Sequence, residues 1–197
     1  MDNTTKQLTG GRTFSNMKKI LFTPWEDTDG TLKPGSTTYD LVDIVADTTS
    51  VEQEDNEVNT IEHEFSGSPL IENISLGAKT FTSECIDMGN EVLQSMFGWT
   101  VEDGHAFAPK AYKPLYCTIE MQFNSTDDAV VLPKVLLNSK AVFASMKTDV
   151  SRATISGTCY PAYIKVGTSE EETDMAVIKA TDGTIATYAV SATATKA

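Results

Sequence analysis

Residues 115–123, LYCTIEMQF, alternate without a fault. Leu115, Cys117, Ile119, Met121 and Phe123 fall on one face, and Tyr116, Thr118, Glu120 and Gln122 on the other. Strict period two predicts a half-buried antiparallel strand. The run 129–137, AVVLPKVLL, is apolar almost throughout. Pro133 removes a ladder donor there and predicts an edge, or a break between two short strands. In 152–160, Ala153, Ile155, Gly157 and Cys159 share an inner face. Further strands are predicted at 18–23 and 38–46, in AVFASMK (141–147) and in a hairpin over 175–190 that turns at Asp182-Gly183. Asp29-Gly30 and Pro34-Gly35 mark a turn-rich excursion that carries Trp25. Loops are expected at 66–77 and 168–174, and Glu52, Glu54, Asp55 and Glu57 read as an acidic loop tip.

One segment departs from period two. In 81–99, FTSECIDMGNEVLQSMFGW, a strand-like run breaks at Asp87-Met88-Gly89-Asn90 and a helical pattern begins. Val92, Leu93, Met96 and Phe97 then lie on one face, with Glu91, Gln94 and Ser95 opposite. Asp87 or Asn90 can cap the orphan amides, and Gly98 suits a left-handed stop. A helix of eight or nine residues is marginal alone, so it must dock its apolar face. Asp87, Val92, Leu93, Met96, Phe97 and Gly98 are therefore expected to form a staple over the sheet, without chemistry of their own.

About nine or ten strands, closely spaced turns and one helix predict a mainly β, sandwich- or barrel-like fold with a short flanking α-helix at about 89–97. The expected organisation is a flexible arm at 1–16, one β domain at 17–192 with an acidic loop near 50–60, and a small polar tail at 193–197.

Charge alters this picture. The net charge is −13. Residues 1–109 hold 6 Lys/Arg against 19 Asp/Glu, and residues 110–165 hold 7 against 4. Tight nucleic-acid binding requires basic residues facing phosphates, so the balance argues against it. By itself the charge reads as a soluble acidic surface, and its segregation is what self-association between unlike faces would use. No apolar run is long enough to span a bilayer and no secretory h-region is visible, so membrane insertion and secretion are not expected. Cys85, Cys117 and Cys159 are far apart and odd in number, which predicts buried thiols made in a reducing cytosol.

Candidate chemistry is sparse. The sequence Glu62-His63-Glu64, with Asp103 and His105, invites a metal reading. On a strand, however, 62 and 64 point away from 63 and the three do not converge. The chain has no HExxH, GxSxG, Walker-A or GxGxxG motif. No catalytic, metal-binding or cofactor-binding residue is expected, and no cofactor. Trp25 lies among Glu26, Asp27 and Asp29, where phosphate is repelled, and reads as an anchor on its own domain or on a neighbour.

The order of elements carries more information than any motif. KKILFTP is followed by the acidic Gly turn DTDG, a strand, an acidic loop, and TFTSECIDMGNEVLQSMFGW. A Gly-containing link, VEDGHAFAP, then leads to PLYCTIEMQF, AVVLPKVLL and RATISGTCYPA. This order resembles the major tail proteins, or tail tube proteins, of long-tailed bacteriophages. In that family an aspartate precedes a short amphipathic helix that ends in a Leu/Phe-Gly pair, and Asp87, Leu93 and Phe97-Gly98 match. The resemblance spans roughly 18–165, and the 52–57 segment and the C-terminal hairpin depart from it.

The resemblance implies a structural virion protein without enzymatic activity. Its copies would form stacked hexameric rings, a hollow tube that conducts double-stranded DNA during ejection. Implied partners are other copies of the chain, a tape measure, a tail terminator and DNA in transit. The implied location is the virion tail, after synthesis in the host bacterial cytoplasm. Trp25, Glu52, Glu54, Asp55 and Glu57 are then candidate subunit-interface positions. The alternative is a soluble β-sandwich binding module of carbohydrate-binding or adhesin-like type, which requires an exposed aromatic platform from Trp25, Trp99 or Tyr112.

Overall fold

The computed structural model describes all residues except 1–13, 15, 63–68, 87, 112, 127, 144–150, 182–183 and 195–197. The chain begins with β1 (Met17–Thr28), β2 (Thr31–Pro34), β3 (Tyr39–Asp40), β4 (Ser50–Gln53), β5 (Glu57–Glu62), β6 (Pro69–Ser75) and β7 (Lys79–Cys85). The helix α1 (Asn90–Phe97) follows, then β8 (Thr100–Glu102), β9 (His105–Phe107), β10 (Leu115–Phe123), β11 (Ala129–Leu137), β12 (Lys140–Val142) and β13 (Arg152–Tyr160). The C-terminal part holds β14 (Ala162–Val166), β15 (Ser169–Thr173), β16 (Ala176–Ile178), β17 (Ala180–Thr181), β18 (Thr184–Ile185) and β19 (Tyr188–Ser191). The fold is mainly β, with antiparallel sheets in a sandwich-like arrangement and one helix among the described residues.

The principal sheet runs β2-β1-β10-β11-β13-β7-β4. Its inner face carries Ile20, Phe22, Phe81, Cys85, Cys117, Ile119, Met121, Leu132, Val135, Ile155 and Cys159, all buried. The rings of Phe22 and Phe81 meet edge-on at 6.2 Å, which joins the two halves of the sheet. The alternation predicted for 115–123 and the inner face predicted for 153–159 are both present, and all three cysteines are buried. Gly157 permits close approach between strands: a Cβ there would lie 2.6 Å from Leu136 O and 2.6 Å from Val135 Cγ1.

Pro133 is not at an edge. The strand β11 is central and continuous through it, and the residue sits where two irregularities coincide. Cys117 pairs with Val135 and Ile119 with Leu132, so two steps on β10 oppose three on β11. This bulge moves the inward set from Val130 and Leu132 to Val135 and Leu137, and so the apolar run lacks clean alternation. The other side of β11 also changes partner here, with β16 pairing residues 129–131 and β13 pairing residues 134–137.

A smaller sheet, β15-β14-β19, lies against the outer face of the principal sheet. Val131, Ile164 and Ile178 form its buried contact, flanked by Val166, Tyr188 and Val190. Tyr188 donates a hydrogen bond to Glu120, whose other carboxylate oxygen accepts one from Gln122 Nε2 at 2.7 Å. The C-terminal segment thus covers the face of β10 that its own polar residues predict to be solvated.

Several boundaries differ from expectation. The strand expected at 18–23 extends through Trp25 to Thr28, and only 39–40 of the strand expected at 38–46 is one. Asp43 and Asp47 take positive φ and break the latter. The segments 50–60, 66–77 and 168–174, expected as loops, supply β4 with β5, β6 and β15. Acidic residues are tolerated there because they sit on edge strands and hairpins with a solvated side. The turn at Asp29-Gly30 forms as predicted, both residues at positive φ. The turn at Asp182-Gly183 lies outside the described residues, between the paired strands β17 and β18.

Candidate functional site

The helix α1 follows β7 directly and lies over one end of the core. Leu93 and Met96 are buried, and Val92 and Phe97 pack against the core cluster at their edges. Gly98 takes φ 68° and ψ 26°, and its amide donates to Gln94 O at 3.2 Å. A Cβ at Gly98 would meet Leu115 Cδ1 at 3.2 Å, so the stop is set both by backbone hand and by space. The N-terminal cap is Gly89, and no side chain among the described residues caps it. Asn90, expected to cap, is instead the first helical residue and donates to Gly104 O at 3.1 Å, which ties the helix to the β8–β9 turn. Asp87 lies outside the described residues.

The candidate interface positions separate into two groups. Trp25 is only 7% exposed and lies on β1, where its indole Nε1 donates to Thr118 Oγ1 at 3.0 Å. Lys134 Nζ stands 5.2 Å from the Trp25 ring centroid and 4.9 Å from that of Tyr116. Trp25 therefore anchors its own domain rather than presenting a loop. Glu52, Glu54, Asp55 and Glu57 are all exposed. They run from the edge strand β4 into β5, around the root of a hairpin in which β5 and β6 form a two-stranded sheet among the described residues.

That hairpin root also holds apolar residues that the sequence pattern does not single out. Val58 and Ile74 are direct cross-strand partners, 56% and 64% exposed, and Leu76 beside them is 76% exposed. The signal was present as two short β-rich runs, EVNTIE and PLIENIS, but acidic and Gly/Ser residues around them read as loop.

At the far end of β7, around α1, a second surface forms. Trp99 is half-buried and its ring lies 6.2 Å from that of Phe143. Phe107, Val142 and Phe143 are exposed. A cleft of about 100 Å³ is lined by Phe97, Pro109, Lys113, Leu115, Leu137 and Ser139, among others. Among the described residues, Ser139 Oγ is buried with no hydrogen-bond partner. Lys110, Lys113 and Lys140 are exposed at this end, as are Glu102 and Asp103 at the β8–β9 turn. Across β13, Leu137 aligns with Phe81 and Ala141 with Cys85, so this surface extends along β7 toward the helix, while the hairpin root lies at its Lys79 end.

Among the described residues, no group of three or more His, Cys, Asp or Glu is placed to hold a metal. His105 is exposed on β9, and His63 lies outside the described residues. Burial raises the Cys117 thiol, with the charge of Cys159 adding to the effect. The Cys159 thiol is pushed up to about 11, mainly by burial and then by Asp174, with Lys79 opposing. Thiols held protonated in this way are poor nucleophiles at neutral pH. Tyr112 lies outside the described residues, so of the three aromatics of a binding platform Trp25 is buried and Trp99 is half-covered.

No protein-family model matches the chain. No curated protein matches it either. Among solved structures, the chain is similar to one in the cryo-EM structure of the anti-feeding prophage baseplate, 6-fold symmetrised. The identity is 10% and the TM-score 0.42, over 87% of this chain and 98% of that one.

Proposed function

We propose that this protein is a structural tail tube subunit of a long-tailed bacteriophage. Its copies assemble into stacked hexameric rings around a channel for double-stranded DNA, with a tape measure and a tail terminator as further partners. It acts in the virion tail, after synthesis in the host bacterial cytoplasm, without catalysis or a cofactor.

The observation that carries this reading is the position of α1. A short helix with a Phe97-Gly98 stop joins β7 to the long β8–β10 segment and docks on the sheet core, in the element order of the tail tube family. Net charge supports it, since a conduit that passes DNA without holding it needs carboxylates rather than lysines along its wall. The binding-module alternative is weakened by the burial of Trp25.

Negative-stain microscopy of the concentrated full chain tests the proposal. Rings or tubes of uniform width are expected. Monomers that persist across salt conditions and in the presence of tail partners would overturn it.

A further inference from the structure

We propose that residues 162–191 are a lid on the outer face of the principal sheet. It opens as a unit about the Tyr160-Pro161 junction, while the sheet and its core stay folded.

The lid has a hydrophobic cluster of its own. Among the described residues, β14, β15 and β19 pair with one another and with no strand of the principal sheet. Their apolar side chains gather with Ile178 around Ile164, and Val131 is the one member of that cluster from outside 162–191. None of these residues belongs to the main core, which lies on the opposite face of the sheet. Lifting the lid therefore uncovers Val131 and leaves the main core in place.

The face beneath it suits water. The strand β10 turns Tyr116, Thr118, Glu120 and Gln122 outward. Thr118 is bonded to Trp25 and to Pro133 O within the principal sheet, and Gln122 Nε2 holds Glu120 at 2.7 Å without help from the lid. Opening frees one carboxylate oxygen of Glu120, which water satisfies, so no polar group of this face is stranded.

The fastenings are short and mostly polar. Tyr188 donates to Glu120, the Ala180 amide donates to Asp128 Oδ1 at 2.9 Å, and Lys79 Nζ meets both oxygens of Asp174 at 2.9 and 2.7 Å. The ladder of β16 on β11 is limited to Ala129↔Ile178, Val130↔Val177 and Val131↔Ala176, and β19 touches β2. By contrast, β13 is zipped to β7 from Ala153 to Thr158 over a fully buried inner face. The junction itself is suited to a hinge. The register of β13 with β11 ends at Tyr160, β14 begins at Ala162, and Pro161 between them has no N–H to tie to either sheet. Elements with few buried apolar contacts open before the rest, and in cooperative units.

Native-state hydrogen exchange of the full chain, read by mass spectrometry at sub-denaturing urea, tests the lid. Amides of β14, β15, β16 and β19 should exchange through one shared opening. That opening should be about tenfold or more as populated as the one that exposes β7, β10 and β13. Tyr188→Phe and Asp174→Asn each remove one fastening, and each should speed the whole lid about fivefold while β7, β10 and β13 are unchanged. If wild-type 162–191 exchanges only as fast as β10 and β13, it belongs to one cooperative unit with them and the lid is overturned. If each variant speeds only the amides beside its own substitution, the opening is not unitary and the lid is overturned as well.

Discussion

The indole N–H of Trp25 and the hydroxyl of Thr118 form one link of a buried relay. Trp25 Nε1 donates to Thr118 Oγ1 at 3.0 Å, and Thr118 Oγ1 donates to Pro133 O at 2.7 Å. The relay crosses three strands and ends at the β11 bulge, where it satisfies the carbonyl of the residue that has no N–H to give.

Thr118→Val is expected to destabilise the chain by about 1–3 kcal/mol, since it leaves the indole N–H and the Pro133 carbonyl unpaired. Trp25→Phe in the same background should cost less than it does alone, because the donor it removes has already lost its acceptor. Urea unfolding of the two single variants and the double variant gives the coupling. A coupling near zero would mean that the relay contributes only packing.

Gly98→Ala places a Cβ at positive φ and against Leu115. A cost of about 1–2 kcal/mol is expected from the left-handed backbone alone, with some further cost from the contact. Chemical denaturation measures it, and loss of helical signal before the main transition would locate the damage at α1.

Gly157→Ala is predicted to be the harsher glycine substitution. Its Cβ would press on the Leu136 carbonyl of a central strand, and backbone in mid-sheet yields less readily than a side chain. Overpacking of this kind costs about 1–3 kcal/mol. A variant as stable as wild type would show that β11 and β13 can separate locally.

Stability should fall on the alkaline side. An unfolded thiol loses its proton near pH ~8.5, whereas folded Cys159 holds it to about 11. Between those values the folded state binds more protons than the unfolded one, so rising pH favours unfolding. The contribution is complete below pH ~8.5 and is lost as pH rises toward 11. The Cys117 thiol, raised by burial, and the Tyr188 phenol, raised by burial and by its bond to Glu120, extend the loss further. Urea midpoints from pH 7 to 11 should decline, and Cys159→Ala should flatten part of that slope.

The sequence by itself determined what local chemistry decides. Period two in 115–123 specified both faces of β10. The α1 face and its Gly98 stop followed from 3.6-residue spacing and from the one residue type that takes positive φ without penalty. Tertiary structure decided the rest. The apolar stretch of β11 changes its inward residues at Pro133 because a bulge against β10 inserts one residue, and no local pattern announces that register. Trp25, set among acids in sequence, is buried because β10 and β11 supply a hydroxyl and a lysine from far along the chain. The acidic runs read as loops, since charge predicts solvent contact but not backbone pairing. Only the pairing of β4 with β7, and of β5 with β6, made them strands and brought Val58 and Ile74 together on an uncovered face.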